Sequence, residues 1–263
     1  MDMGLRGRAA LVAASSQGLG KAVALGLARE GARVAMCART AAVLEAAADE
    51  IRGATGAEVF ARAADVADTE QVRRLVAETV ARFGSLDICV ANAGGPPSKP
   101  FSDTTLEDWR AAVDLNLLST VCLARETLPL MRQRRWGRFI AITSMTVKQP
   151  AEGLILSNSV RSAVSGLVKS LANEYGPDNV LVNNVCPGRI ATARLRSLAA
   201  KAATNAGVAA EEIERRWAAE APVRRLGDPE EFANLVVFLA SERASYINGV
   251  SIAVDGGLVK GIY

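Results

Sequence analysis

Histidine is absent from all 263 residues. That omission removes imidazole-based metal sites, a Ser-His-Asp triad and any imidazole general base. Cysteine is scarce and scattered, at 37, 89, 122 and 186, without a Cys-x-x-Cys pair. Neither a zinc site nor a disulfide framework is indicated, and free buried thiols in a reducing compartment are the plain reading. No charge is in marked excess: 31 Lys and Arg against 28 Asp and Glu leave a net +3. So small a surplus gives no footing for a nucleic-acid partner. The N-terminal Met-Asp-Met-Gly-Leu-Arg-Gly-Arg lacks the pattern of a signal peptide, and the apolar stretch Ala9 to Ala14 is only strand-length. The expectations are no membrane, no nucleic acid and a cytoplasmic location.

What is present is a globular balance, 50% hydrophobic and 22% charged, at a length that suits one large α/β domain. Short apolar runs predict strands at Ala9–Ala14, Val34–Cys37, Val59–Ala63, Ile88–Ala91, Phe139–Thr143, Val180–Val185 and Ile252–Val254. Longer amphipathic stretches predict helices at Gly20–Glu30, Ala41–Ile51, Thr69–Phe83, Leu106–Arg134, Ser162–Tyr175 and Glu230–Ser241. In the third, Val72, Leu75, Val76, Val80 and Phe83 fall at helical spacing. The alternation implies a parallel sheet with helices on both faces, a doubly wound Rossmann-like single domain of about seven strands. Residues 189–225 interrupt the pattern with one or two Ala-rich helices. They are placed either to form a substrate lid at the strand ends or to cap the core as a solvated helix.

After the first strand comes Ala13-Ala14-Ser15-Ser16-Gln17-Gly18-Leu19-Gly20, followed by a helix. Gly18 and Gly20 clear the turn for a close approach to a pyrophosphate, and the helix start aims N–H groups and a positive dipole end at it. At the end of the second strand, Ala38 offers no carboxylate to a ribose and Arg39 offers a guanidinium, which matches a 2′-phosphate. NADP(H) is therefore expected over NAD(H), a solvated helix-terminal arginine being the plainer alternative for Arg39.

These features together resemble the short-chain dehydrogenase/reductase family, close to its 3-oxoacyl-[acyl-carrier-protein] reductases. The family's turn reads Thr-Gly-x-x-x-Gly-x-Gly, and Ala13 and Ala14 depart from its first two places. An alanine needing only an ordinary negative φ is expected there, with the turn slightly altered. Gln17 stands where NADP-using relatives often carry a second basic residue. The resemblance implies further cofactor contacts at Asp65 and Val66 for the adenine and at Asn92, Ala93 and Gly94 for the adenosine ribose. It implies others along Pro187-Gly188-Arg189-Ile190-Ala191-Thr192 for the nicotinamide carboxamide. Leu226-Gly227-Asp228-Pro229-Glu230-Glu231 and Val254-Asp255-Gly256-Gly257 complete the likeness.

The family's catalytic Asn and Ser are matched by Asn116 and Ser144, whose alternative role is a local hydrogen bond to backbone. Its Tyr and Lys are not: Leu156-Ser157-Asn158-Ser159-Val160-Arg161 puts Ser157 and Arg161 in their places. No other tyrosine, at 175, 246 or 263, follows Ser144 at a useful distance. An aliphatic hydroxyl is a far weaker acid than a phenol, and an arginine cannot relay a proton at working pH. Arg161 can instead hold the nicotinamide ribose and stabilise negative charge. Three functions follow: an NADP-dependent reductase or dehydrogenase acting on a small molecule, a non-redox lyase or isomerase, or a silent dinucleotide-binding module. The long helix from Leu106 and the one after Arg161, with Val164, Leu167, Val168 and Leu171, resemble the family's subunit-pairing helices and imply a homotetramer or homodimer.

Overall fold

Strand β1, Ala9–Val12, is buried along its whole length, so its alternating side chains must feed two separate cores. They do: Ala10 and Val12 join one apolar cluster, and Ala9 and Leu11 join the other. The structure, a computed structural model, describes residues 2–262. Its strands are β1, β2 (Arg33–Ala38), β3 (Val59–Ala63), β4 (Ile88–Ala91), β5 (Gly137–Ile142), β6 (Val180–Pro187) and β7 (Ser251–Val254). They form one seven-stranded sheet in the order β3-β2-β1-β4-β5-β6-β7. Every pairing in it is parallel.

Parallel strands need crossovers, and helices supply them on both faces. Helices α1 (Gly18–Arg29), α2 (Ala41–Thr55) and α9 (Pro229–Ala240) cover one face. Helices α3 (Thr69–Phe83), α5 (Ser119–Gln133) and α6 (Ile155–Tyr175) cover the other. Helix α3 has the expected bounds, with Thr79 also buried and Val80 half-buried against the same core. The Thr79 hydroxyl is satisfied by donating to the Leu75 carbonyl at 2.7 Å.

Two helices differ from expectation. The stretch 106–134 is not one helix: α4 (Leu106–Ala112) passes through a π-helical turn, Val113–Leu118, into α5. There the Asn116 amide donates to the Gly94 carbonyl at 2.8 Å, and the Ser119 and Thr120 hydroxyls donate to the Leu115 and Asn116 carbonyls. These side chains compete with the regular backbone ladder at the turn where it widens. Helix α6 also begins earlier than Ser162, at Ile155, so Ser157 and Arg161 lie on it one turn apart. Asn158 secures that early start by bonding both the N–H and the carbonyl of Ala151.

Residues 189–225 hold α7 (Ala193–Ala206) and α8 (Ala210–Glu220), which share a small core of Ala199, Ala203 and Ile213. No helix among the described residues is long and apolar enough to cross a membrane.

Candidate active site at the carboxyl ends of the strands

The sheet order reverses between β1 and β4, and a crevice opens there at the carboxyl ends of the strands. The turn after β1 is more strained than expected. Ala14 has φ +47, in the left-handed region, rather than an ordinary negative value. The cause is the close packing beneath it: a Cβ on Gly20 would come within 2.3 Å of the Ala14 carbonyl oxygen. That oxygen accepts a hydrogen bond from Asn92 Nδ2 at 3.3 Å, which fastens the turn to β4. Ser15, fully buried, bonds the Cys37 N–H and carbonyl and so fastens it to β2.

Gly18 has φ +57, and its bare α-carbon faces Thr192, whose Cγ2 lies 3.5 Å from where a Cβ would be. No side chain caps α1 at Gln17, which leaves the first N–H groups of the helix available to a ligand. Thr192 caps α7, accepting from the Leu195 N–H at 3.3 Å. Gly188 is required where it stands, because a Cβ would fall 2.5 Å from Asp255 Cβ. Pro187 ends β6, and Ile190 bridges to Gly227. These residues fit a dinucleotide: the turn and the segment after β6 leave backbone and small side chains facing one groove.

Arg39 is exposed at the end of β2. Asp65 and Val66 lie just past β3, where the Asp65 carboxylate closes its own turn by accepting from the Ala67 N–H at 3.0 Å. Asn92, Ala93 and Gly94 leave β4 beneath the π-helical turn, and Gly94 is the junction of the deeper site. Its carbonyl accepts from Asn116 Nδ2 at 2.8 Å and from Arg161 Nη2 at 3.1 Å.

Arg161 is buried and reaches the end of β5 as well, where Nη1 donates to the carbonyls of Ile142 (3.2 Å) and Thr143 (2.9 Å). Three of its five N–H groups are thereby committed to backbone. Burial, with the repulsion of Arg194 added, pulls its pKa down to about 10, so the guanidinium stays charged at neutral pH. Ser144 follows β5 and accepts from the Thr146 N–H at 3.2 Å. Ser157 is buried, and its hydroxyl lies 3.3 Å from Thr146 Oγ1. Asn116 Oδ1 is buried without a hydrogen-bond partner among the described residues.

The chain thus gathers two amide groups, three hydroxyls and a charged guanidinium near the carboxyl ends of β4 and β5. The arrangement can position an acceptor, donate hydrogen bonds to it and stabilise negative charge. Thr146 and Arg194 escaped the sequence reading. Arg194 could have been found as the cation two places beyond Thr192, whereas a threonine two places after Ser144 carries no signal of its own. Tyr175 ends α6 ahead of β6 and Tyr246 is fully exposed ahead of β7, both on the amino side of those strands, and Tyr263 lies outside the described residues.

Comparison with known proteins agrees with this geometry. Residues 13–259 match the family model described as enoyl-(acyl carrier protein) reductase. The 3-oxoacyl-[acyl-carrier-protein] reductase FabG of Aquifex aeolicus is 34% identical over 98% of this chain and 100% of its own. The L-sorbose reductase of Gluconobacter frateurii, solved with NADPH and L-sorbose, is 36% identical with a TM-score of 0.95 and full coverage of both chains. The 7α-hydroxysteroid dehydrogenase of Escherichia coli is 32% identical over 98% of this chain and 97% of its own. A structure of a 7α-hydroxysteroid dehydrogenase with NADH and 7-oxo glycochenodeoxycholic acid has a TM-score of 0.90 and covers 100% of this chain and 98% of that one. With the family match running over residues 13–259 and the relatives aligned across nearly the whole length, the chain belongs to the short-chain dehydrogenase/reductase family of NAD(P)-binding oxidoreductases.

Proposed function

We propose that this chain is an NADP(H)-dependent oxidoreductase that moves hydride to or from a carbonyl, alcohol or imine, with Ser157 and Arg161 in the places of the family's Tyr and Lys. The observation that carries this reading is the placement of Arg161. It sits on α6 one turn from Ser157, fixed by three carbonyls beside Asn116 and the end of β5, with two N–H groups uncommitted.

The bound dinucleotide supplies the hydride. Gly18, Leu19, Gly20 and the first N–H groups of α1 hold its pyrophosphate, Ala14, Ser16 and Gln17 shape the turn, and Arg39 meets the 2′-phosphate. Asp65 and Val66 border the adenine, Asn92 to Gly94 the ribose, and Pro187, Gly188, Ile190 and Thr192 the carboxamide. Ser144 polarises the acceptor oxygen, and Arg161 steadies the cofactor ribose and the charge that develops. Ser157 serves as a hydrogen-bond donor rather than the acid, since its hydroxyl is too weakly acidic. The proton comes from water or from the substrate. Asn116, whose Oδ1 lacks a protein partner, is suited to hold such a water.

Residues 189–225 act as a lid, a role supported by α7 and α8 packing on each other around their own small core. The four free cysteines support a reducing, cytoplasmic setting, and the reading includes a homodimer or homotetramer.

Calorimetry with NADP(H) and NAD(H), followed by absorbance assays of NADPH oxidation against carbonyls and imines, tests the whole. NADP(H) should bind more tightly, and Arg39→Ala should weaken it by about 1.5–3 kcal/mol while leaving NAD(H) nearly unchanged. Equal affinity for the two cofactors would refute the NADP assignment. Tight binding without oxidation of any acceptor would point to the silent module or to non-redox chemistry.

A further inference from the structure

Two guanidinium groups meet at one short loop, and no carboxylate comes with them. Arg161 donates to the carbonyl of Gly94, and Arg194 Nη2 donates to the carbonyl of Pro96 at 2.8 Å. Those two residues are at most about 7 Å apart along the chain. Burial lowers the pKa of both groups, Arg194 lowers that of Arg161 further, and the opposing pull on Arg161 comes from the Cys186 thiol, not from a carboxylate. Two arginines of the neighbouring segment are answered by acids. Arg189, in the same segment as Arg194, stacks on Trp217 and faces Glu220 at 3.4 Å, and Arg225 pairs with Glu231 at 2.6 Å.

The flank of the glycine turn is served by a different arginine. Arg196, two positions along α7, points about 200° away from it at 3.6 residues per turn. Arg196 lines a cavity with Gly18, Lys21 and Thr192, which is the flank of the glycine turn. Arg194 faces the other way and lies over Gly95, where a Cβ would stand 3.1 Å from Nη2 and the guanidinium would have to shift by a few tenths of an ångström. Among the described residues only one of its five N–H groups is spent on protein, and the residue is exposed. A planar fork with free donors matches a carboxylate.

We propose that Arg194, with Arg161 behind it, anchors a carboxylate of the substrate, so that the compound accepting hydride is an oxo acid. This rests on the oxidoreductase reading above for the hydride and on the two guanidinium groups for the acid.

The test is a ligand-observed NMR titration of the NADPH complex with pyruvate, acetoacetate and levulinate, each against its methyl ester, with dihydroxyacetone phosphate as a further arm. At least one acid should bind about ten- to a hundredfold more tightly than its ester, the range of a charged hydrogen bond. Arg194→Gln should bring acid and ester to near parity, Arg194→Lys should keep part of the preference, and Gly95→Ala should reduce it by displacing the guanidinium. NADPH affinity should stay unchanged in Arg194→Gln. No preference for any acid, a preference that survives Arg194→Gln, or tightest binding by the phosphate would overturn the anchor. The two readings separate in a parallel absorbance assay. Arg194-dependent acid binding without NADPH oxidation sinks the oxidoreductase and leaves the anchor, whereas esters oxidising NADPH as readily as acids do the reverse.

Discussion

Ser157 and Arg161 are a small hydroxyl and a fixed cation on one face of α6, and their surroundings tell the two apart. The hydroxyl of Ser157 is engaged only by Thr146 at 3.3 Å. Ser157→Ala should therefore cost little, in turnover or stability. Arg161 holds three carbonyls from two strand ends, so Arg161→Ala leaves buried acceptors unpaired, each costing on the order of 1–3 kcal/mol. That variant should lose turnover and melt earlier in the same preparation. Ser144 bears on chemistry more than on folding: its one hydrogen bond accepts a local N–H, and Ser144→Ala should slow turnover by about 10²–10³ with an almost unchanged melting temperature. The double change Ser157→Tyr with Arg161→Lys asks whether the site is eroded or specialised. A lysine brings one ammonium where the fork now reaches β5 and Gly94 at once, and a tyrosine must push past Thr146. Gain of ketone reduction identifies an eroded reductase. Loss of the native activity with no gain identifies a specialised site, which is the outcome the three-carbonyl grip of Arg161 favours.

At the scale of elements, the sequence was most legible where one period ruled. Helix α3 has the bounds its apolar spacing predicts, because nothing competes with that spacing. Legibility fell where side chains contest the backbone. Asn116, Ser119 and Thr120 widen the predicted long helix into a π turn, and the pull of Gly94 on Asn116 cannot be read from neighbouring residues. Ala14 at positive φ is likewise a demand of Gly20 packing beneath it, not a preference of alanine. The start of α9 shows the opposite case, a local signal that works as written. Asp228 and Glu231 form a capping box behind Pro229, and Glu231 also pairs with Arg225. The Arg225 guanidinium and the Asp228 N–H pull the Glu231 pKa from 4.5 down to about 2. A folded-state pKa depressed in this way gives stability that is present above 4.5 and lost as pH falls toward 2. Melting temperatures of Glu231→Gln and the parent should therefore differ at neutral pH and converge through that acid window. A gap of constant size would show that the contact does not act through charge.

For the whole molecule, the question is which face of the sheet sandwich stays open. Helix α6 buries Val164 and Val168 in the core, while Leu167 and Leu171 are only half covered. Its outer side carries Ser162, Ala163, Gly166 and Ser170, all exposed and all small. Leu118, at the end of the π turn leading into the neighbouring helix α5, is 44% exposed. A flat stripe of small residues flanked by partly covered leucines is built for close approach of another helix, and a second copy of α6 is the symmetric candidate. Gly166 makes the case decidable. A Cβ there meets nothing within 4 Å in the isolated chain. In a monomer, replacing this helical glycine should then stabilise the protein by up to about 1 kcal/mol through helix propensity alone. If α6 packs on α6 across a two-fold axis, the same position is crowded, and an arginine there places two like charges against each other. Light scattering should therefore find a dimer or tetramer for the parent at micromolar concentration and smaller particles for Gly166→Arg. Helical content should be unchanged in the variant. A parent that is already monomeric, or a Gly166→Arg variant that melts higher without changing mass, would place the subunit contact elsewhere or remove it altogether.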